Sequence, residues 1–174
     1  ISKKLLDTKR MSSSGNCVVS LCYSTQYLMS GTDDGHLTWW CLQTYTRRYN
    51  VSSRQRIQKC LYSDSLWLCG TFDGNIRIWN HKFDMINEFG FTANMRTFDY
   101  HCGTLALGND NGAIEVLSVD SHIVLSESLK VSHKVLCTVE TPLGCVHGTR
   151  TGDLLFEDGR ELNIVRDGIS FIKY

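Results

Sequence analysis

Proline is almost missing from this chain, with one residue in 174. Alanine is nearly as scarce, at Ala93, Ala106 and Ala113 alone, so the residue that most favours helix contributes little. There is no excess charge: 18 Lys+Arg balance 18 Asp+Glu. That balance excludes a strongly basic protein that coats nucleic acid, and it excludes an acidic tail. No apolar run approaches the roughly 20 residues of a spanning helix, so no membrane span is expected. Residues 1–10 set only Leu5 and Leu6 among Lys3, Lys4, Lys9 and Arg10, which is not the apolar core of a secretory signal. The first residue is Ile rather than Met, and the chain is expected to be a piece of a longer protein or a processed product. No Cys-x-x-Cys pair occurs among the cysteines at 17, 22, 41, 60, 69, 102, 137 and 145. Most of them lie in apolar runs, as small buried hydrophobes do, so an intracellular, cytoplasmic or nuclear location with reduced thiols is expected. The glycosylation-type triplet Asn50-Val51-Ser52 is too common by chance to weigh against this.

What is present points one way. There are 14 Gly, 7 Phe, 7 Tyr and 4 Trp, and hydrophobic residues make up 42% of the chain. Many turn formers and many β-formers with few helix formers predict an all-β fold, and the length predicts one domain. One element recurs four times: an apolar run, Gly, three residues, Gly, then an alternating apolar run. The first Gly stands at 31, 70, 108 and 148, and the second at 35, 74, 112 and 152. Alternating pairs follow at Leu37/Trp39, Ile76/Ile78, Ile114/Val116 and Leu154/Phe156. Eight residues before the first Gly stand Tyr23, Tyr62, Tyr100 and Glu140.

Each copy reads as four strands. Strand a covers Val18–Tyr23, Ile57–Tyr62, Met95–Tyr100 and Val135–Glu140; strand b runs into the first Gly. The whole Gly-x-x-x-Gly segment is expected to be a tight hairpin turn, and strand c follows with period 2. Strand d closes the unit near Arg47–Asn50, Met85–Phe89, Ile123–Ser128 and Glu161–Val165. A four-stranded antiparallel sheet repeated about every 40 residues predicts the blades of a β-propeller.

The segment Gly70-Thr71-Phe72-Asp73-Gly74-Asn75-Ile76-Arg77-Ile78-Trp79-Asn80 resembles the WD-repeat signature, with Asn80 where that family usually has Asp. Gly31 to Trp40 resembles it too, with Trp40 in the column of Trp79. Leu117 and Glu157 depart from it, and no Gly-His pair precedes strand a. The resemblance covers about residues 17–165. It implies that the b–c turns and d–a loops share one rim near the central channel. WD-repeat rings most often have seven blades, about 280 residues at 40 per blade. The expectation is therefore a partial propeller over 1–174, with repeats at 17–50, 51–90, 91–130 and 131–168. Residues 1–10 would be a strand d of a preceding blade, and 169–174 a further strand a. A closed four-blade ring is the less favoured alternative. Further chain or a second copy would complete an open arc, whose end faces invite association.

No motif with a catalytic mechanism is present, so no enzyme, cofactor or metal is expected. Cys145 and His147, with Cys137 and His133, could suggest zinc, but their columns in other copies hold Leu28, Trp67, Leu105, Ser30, Cys69 and Leu107, which is core usage. Asp33, Asp34, Asp73 and Asp110 fit turn chemistry. Arg77 and Glu115 share a column and are expected to face each other across a blade boundary. The centre of the b–c turn varies, as Asp33, Phe72, Asp110 and Arg150. With Arg54, Arg56, Asn94, His133 and Lys134 of the d–a loops, these residues form the expected protein-binding surface, with Phe72 and Arg54 as anchors. The function expected is a non-catalytic platform for protein or peptide partners. Two alternatives stay open: a structural segment of a large assembly, and a nucleic-acid- or phosphoinositide-binding propeller using Arg47-Arg48. The second lacks the interleaved aromatic platform or basic run that such binding favours, so nucleic acid is not the expected partner.

Overall fold

The computed structural model describes residues 16–91, 94–119, 123–130, 134–141, 144–164 and 168–169, with backbone alone for 123–130 and Glu140. The described chain folds into sixteen strands in four antiparallel sheets. The first sheet holds β1 (Val18–Tyr23), β2 (Tyr27–Thr32), β3 (His36–Cys41) and β4 (Arg47–Ser52). The second holds β5 (Ile57–Ser63), β6 (Leu66–Thr71), β7 (Asn75–Trp79) and β8 (Met85–Gly90). The third holds β9 (Met95–His101), β10 (Thr104–Asn109), β11 (Ala113–Ser118) and β12 (Ile123–Lys130). The fourth holds β13 (Val135–Thr141), β14 (Gly144–Thr149), β15 (Asp153–Phe156) and β16 (Glu161–Asn163). Each sheet is a meander in chain order, and the first and last strands of all four begin at the residues expected for strands a and d. Among the described residues no helix is long and apolar enough to cross a membrane. Residues 1–10 and 170–174, where end strands are expected, lie outside the described residues.

Neighbouring sheets meet mainly through their first strands, β1 on β5, β5 on β9 and β9 on β13. The core is therefore divided into layers between blades. Met29, Leu37 and Trp39 of the first blade pack on Ile57, Cys60, Trp67, Cys69 and Trp79 of the second. Leu68, Ile76 and Ile78 pack on Met95, Phe98, Leu105 and Leu107 of the third. Ile114 packs on Val135 and Leu155 of the fourth. All eight cysteines are free thiols, and five are buried.

The two glycines of each repeat serve different purposes, which corrects the expectation that both belong to one hairpin turn. Gly35, Gly74, Gly112 and Gly152 are in the turn, at φ of 89°, 95°, 82° and 91°, where a side chain is strained. Gly31, Gly70, Gly108 and Gly148 instead lie inside strand b. They are needed because the next blade sits on them. A Cβ on Gly31 would come within 2.5 Å of Ile57 Cγ2, and one on Gly108 within 2.3 Å of Val135 Cγ1. On Gly70 it would meet Met95 and Phe98. On Gly148 it would meet Ile169 at 2.8 Å, so Ile169 rests on the fourth blade as Ile57 and Val135 rest on the first and third.

In the fourth blade Leu155 is buried while Leu154 and Phe156, the alternating apolar pair that the repeat marks, are only half-buried. Leu37, Ile76 and Ile114 are covered by a following blade; among the described residues no full blade follows the fourth. One further expectation is corrected: Arg77 does not pair with Glu115 across a boundary. Its Nε donates to Glu88 on β8 of its own blade at 2.8 Å, because adjacent antiparallel strands bring Arg77 and Glu88 directly opposite. At the other end of the array, β1 exposes Val18, Leu21 and Tyr23, the last at 72%.

Candidate binding rim

The b–c turns and the d–a loops are joined by the same main-chain bond in all four blades. The amide of the central turn residue donates to the carbonyl of the residue just before strand a. Asp33 N reaches Cys17 O at 3.0 Å, Phe72 N reaches Arg56 O at 2.9 Å, Asp110 N reaches Asn94 O at 3.1 Å, and Arg150 N reaches Lys134 O at 2.9 Å. A second bond ties the end of strand d to the second glycine: Ser53 N to Gly35 O, Phe91 N to Gly74 O and Ile164 N to Gly152 O. The varied residues thus stand on a main-chain frame that repeats from blade to blade.

Turn side chains reinforce that frame. Thr32 and Thr71 donate their hydroxyls to Asp34 and Asp73, both at 2.5 Å, and Thr149 accepts the Asp153 amide at 3.1 Å. Asn109 does the same work in the third blade, where Oδ1 accepts from the amides of Asn111 and Ala113. The Thr32 bond, followed by His36, holds the Asp34 carboxyl below the ordinary carboxylate value. Asp33 accepts the Cys17 amide through Oδ1 at 3.2 Å.

Most of the expected binding residues therefore meet on one rim. Asp33, Arg54, Arg56, Asn94 and Arg150 are exposed there, and Phe72 is half-buried. Arg54 adopts a left-handed backbone, φ 60°, which turns the loop between β4 and β5. His133 lies outside the described residues. Asp110 is less free than the sequence suggests. Arg96 donates to it from the same blade, and Lys134 Nζ lies 3.5 Å away on the next. Burial would raise the Asp110 carboxyl, but the Arg96 bond and the two positive charges outweigh it and hold the group below its ordinary value.

Sequence reasoning missed Arg96, which stands in a column shared with Val19, Gln58 and Leu136. Variation in that column is the signal that could have singled it out. It also missed Lys59, whose Nζ donates to Phe98 O of the next blade at 2.5 Å and sits 5.4 Å from the Phe98 ring centre. Arg47 and Arg48 lie on the outer strand β4. The suspected zinc set is a core feature: Cys145 and His147 are buried, and His147 Nδ1 bonds Thr138 Oγ1 at 3.0 Å. The Trp40 indole donates to Ser30 Oγ at 2.9 Å, while Trp79 has Cys69 in the equivalent place.

Four equivalent meanders, stacked by their first strands and repeated about every 40 residues, decide the architecture. The fold is that of a β-propeller. No protein-family model matches the sequence, and no curated protein matches it. Solved propellers do match in structure. The computationally designed Ika4 protein superposes with a TM-score of 0.75 at 15% identity, over 90% of this chain and 97% of that one. The RRP9 WD40 repeats superpose at 0.76 and 12% identity, over 87% of this chain and 52% of that one. The designed Ika8 protein superposes at 0.73 and 17% identity, over 91% of this chain and 54% of that one. The propeller described here thus spans nearly all of Ika4 and about half of Ika8 and of the RRP9 repeats.

Proposed function

We propose that the propeller is a non-catalytic, WD-repeat-type platform that binds protein segments or peptides on the rim of its b–c turns and d–a loops. The observation that carries this reading is the invariant amide-to-carbonyl bond under Asp33, Phe72, Asp110 and Arg150. A rigid frame presenting chemically different side chains is what a recognition surface needs. Phe72 offers apolar area at low entropic cost, and Arg54 and Arg56 offer planar donor groups beside it. Specificity then comes from placed side chains, since the net charge is zero. The WD40 repeats among the solved structures support a platform of this class. The exposed apolar residues of β1 are where further chain, or a second copy, would complete the ring.

The test uses peptides selected from a random library against the immobilised chain. Their binding is mapped by NMR on a sample whose mass is measured by light scattering. Shift changes are expected at residues 33, 54–56, 72, 94 and 150. The pair Phe72→Ala and Arg54→Glu should weaken binding by about 10-fold or more. Peptides that perturb only the outer strands β4, β8 and β16, or a library that yields no binder, would refute the rim. A dimeric mass would instead favour completion by a second copy.

A further inference from the structure

On the face opposite the rim, two a–b turns meet across the boundary between the second and third blades. In the first, Asp64 and Ser65 are both left-handed, at φ 50° and 65°. In the second, Cys102 and Gly103 are left-handed, at φ 47° and 81°. Asp64 and Cys102 thus hold the same turn position in consecutive blades. The Cys102 amide donates to Asp64 Oδ2 at 2.6 Å and latches one turn to the other. Cys102 Sγ lies 3.2 Å from His101 Nε2. A carboxylate oxygen of Asp64, a ring nitrogen of His101 and the Cys102 sulfur all lie within 4.8 Å of one another, and all three residues are exposed.

That amide bond uses one lone pair of one Asp64 oxygen, and further acceptor capacity remains. Zinc bonded at about 2.0–2.1 Å to nitrogen and about 2.3 Å to sulfur holds those two atoms roughly 3.5 Å apart in a tetrahedron. The His101–Cys102 separation is close to that already. The donor set combines one hard oxygen, one imidazole and one thiol. Magnesium and calcium prefer oxygen alone, whereas zinc and its neighbours accept such a mixture.

We propose that Asp64, His101 and Cys102 form a binding site for a divalent transition-metal ion of the zinc class, with water completing the coordination. In the metal-free chain the Cys102 thiol faces the His101 nitrogen. On binding, the S–H bond breaks, the sulfur keeps the electron pair and bonds the ion, and the proton leaves to solvent. The ion joins the second blade to the third, so binding also reinforces that boundary.

The test is titration of the tag-free, fully reduced 174-residue chain with cobalt(II), followed by displacement with zinc. A thiolate-to-cobalt charge-transfer band should grow to one ion per chain. Cys102→Ser should abolish the band, and Cys17→Ser, which alters another exposed thiol, should leave it intact. His101→Gln and Asp64→Asn should each weaken binding by about 10-fold or more; asparagine keeps an acceptor for the Cys102 amide. Paramagnetic broadening in the unaltered chain should centre on residues 63–66 and 100–104, a readout that needs no substitution. The site is refuted by the absence of a thiolate band, by a band that survives Cys102→Ser, or by broadening centred elsewhere.

Discussion

Trp39→Ala is expected to lower the unfolding free energy by about 3–5 kcal/mol, the range for emptying a buried aromatic site. Trp39 is fully buried and is the first blade's main insertion into the second. Its ring centre lies 5.4 Å from Trp79, 6.3 Å from Trp67 and 5.7 Å from Phe83, with Tyr49 of its own blade at 5.5 Å. The two tryptophan contacts are edge-to-face, the arrangement that the ring quadrupoles favour. Alanine deletes these contacts together and leaves a cavity that two twisted sheets cannot close. Among the described residues the buried indole N–H has no hydrogen-bond partner. Trp39→Phe should therefore cost much less, because it keeps aromatic packing and removes an unsatisfied donor. Urea unfolding followed by circular dichroism checks both values. A loss below about 1 kcal/mol for Trp39→Ala would mean that the first blade is not docked through this residue.

Acid should destabilise the fourth blade through His147. Burial holds its imidazole neutral and pushes the pKa from 6.5 down to about 4. The unfolded chain therefore binds a proton in a range where the folded chain does not. The sign follows: the neutral His147 contributes its full share of stability above pH 6.5, and that share is lost as pH falls through about 4. The difference corresponds to about 3 kcal/mol between neutral pH and pH below 4. His147→Gln can still bond Thr138 but cannot take up the proton. Unfolding at pH 7 and pH 4 should show the unaltered chain losing about 2–3 kcal/mol more than the variant. Equal losses in the two proteins would show that His147 is not held neutral by burial. Asp34 and Asp110, both held below the ordinary carboxylate value, titrate in both proteins and cancel in the comparison.

Much of this architecture is legible in the residues because each blade is one local meander whose strands pair with sequence neighbours. Alternation and turn chemistry then suffice to place strand a, and β1 spans the expected Val18–Tyr23. Contacts between blades are less legible. The first glycine of each repeat looks like turn chemistry, and only the position of Ile57 or Val135 shows that it makes room for the next sheet. Arg77 and Glu115 share a column, but a column does not say which side of a sheet meets which; Glu88 on the neighbouring strand of the same sheet wins because it is already opposite. For the rim, a repeat finds the varied positions Phe72 and Arg150 directly. The approach of Lys134 to Asp110 depends on how two blades splay, and no spacing encodes that. The cluster of Asp64, His101 and Cys102 escapes a search along strands because Asp64 lies in a turn of the second blade, while His101 ends β9 and Cys102 follows it in the third.

The account rests on each strand a being seated on the first glycine of the preceding blade, since that seating sets the spacing of the rim. A double-mutant cycle between Gly108 and Val135 measures it most directly. Val135 is fully buried and β-branched, so it cannot swing away from a methyl group on Gly108. Gly108→Ala should cost about 1–3 kcal/mol in the unaltered chain, and Val135→Ala should relieve part of that cost, giving a coupling of about 0.5–3 kcal/mol. Costs that simply add, within about 0.5 kcal/mol, would contradict the stacked blades and the rim built on them.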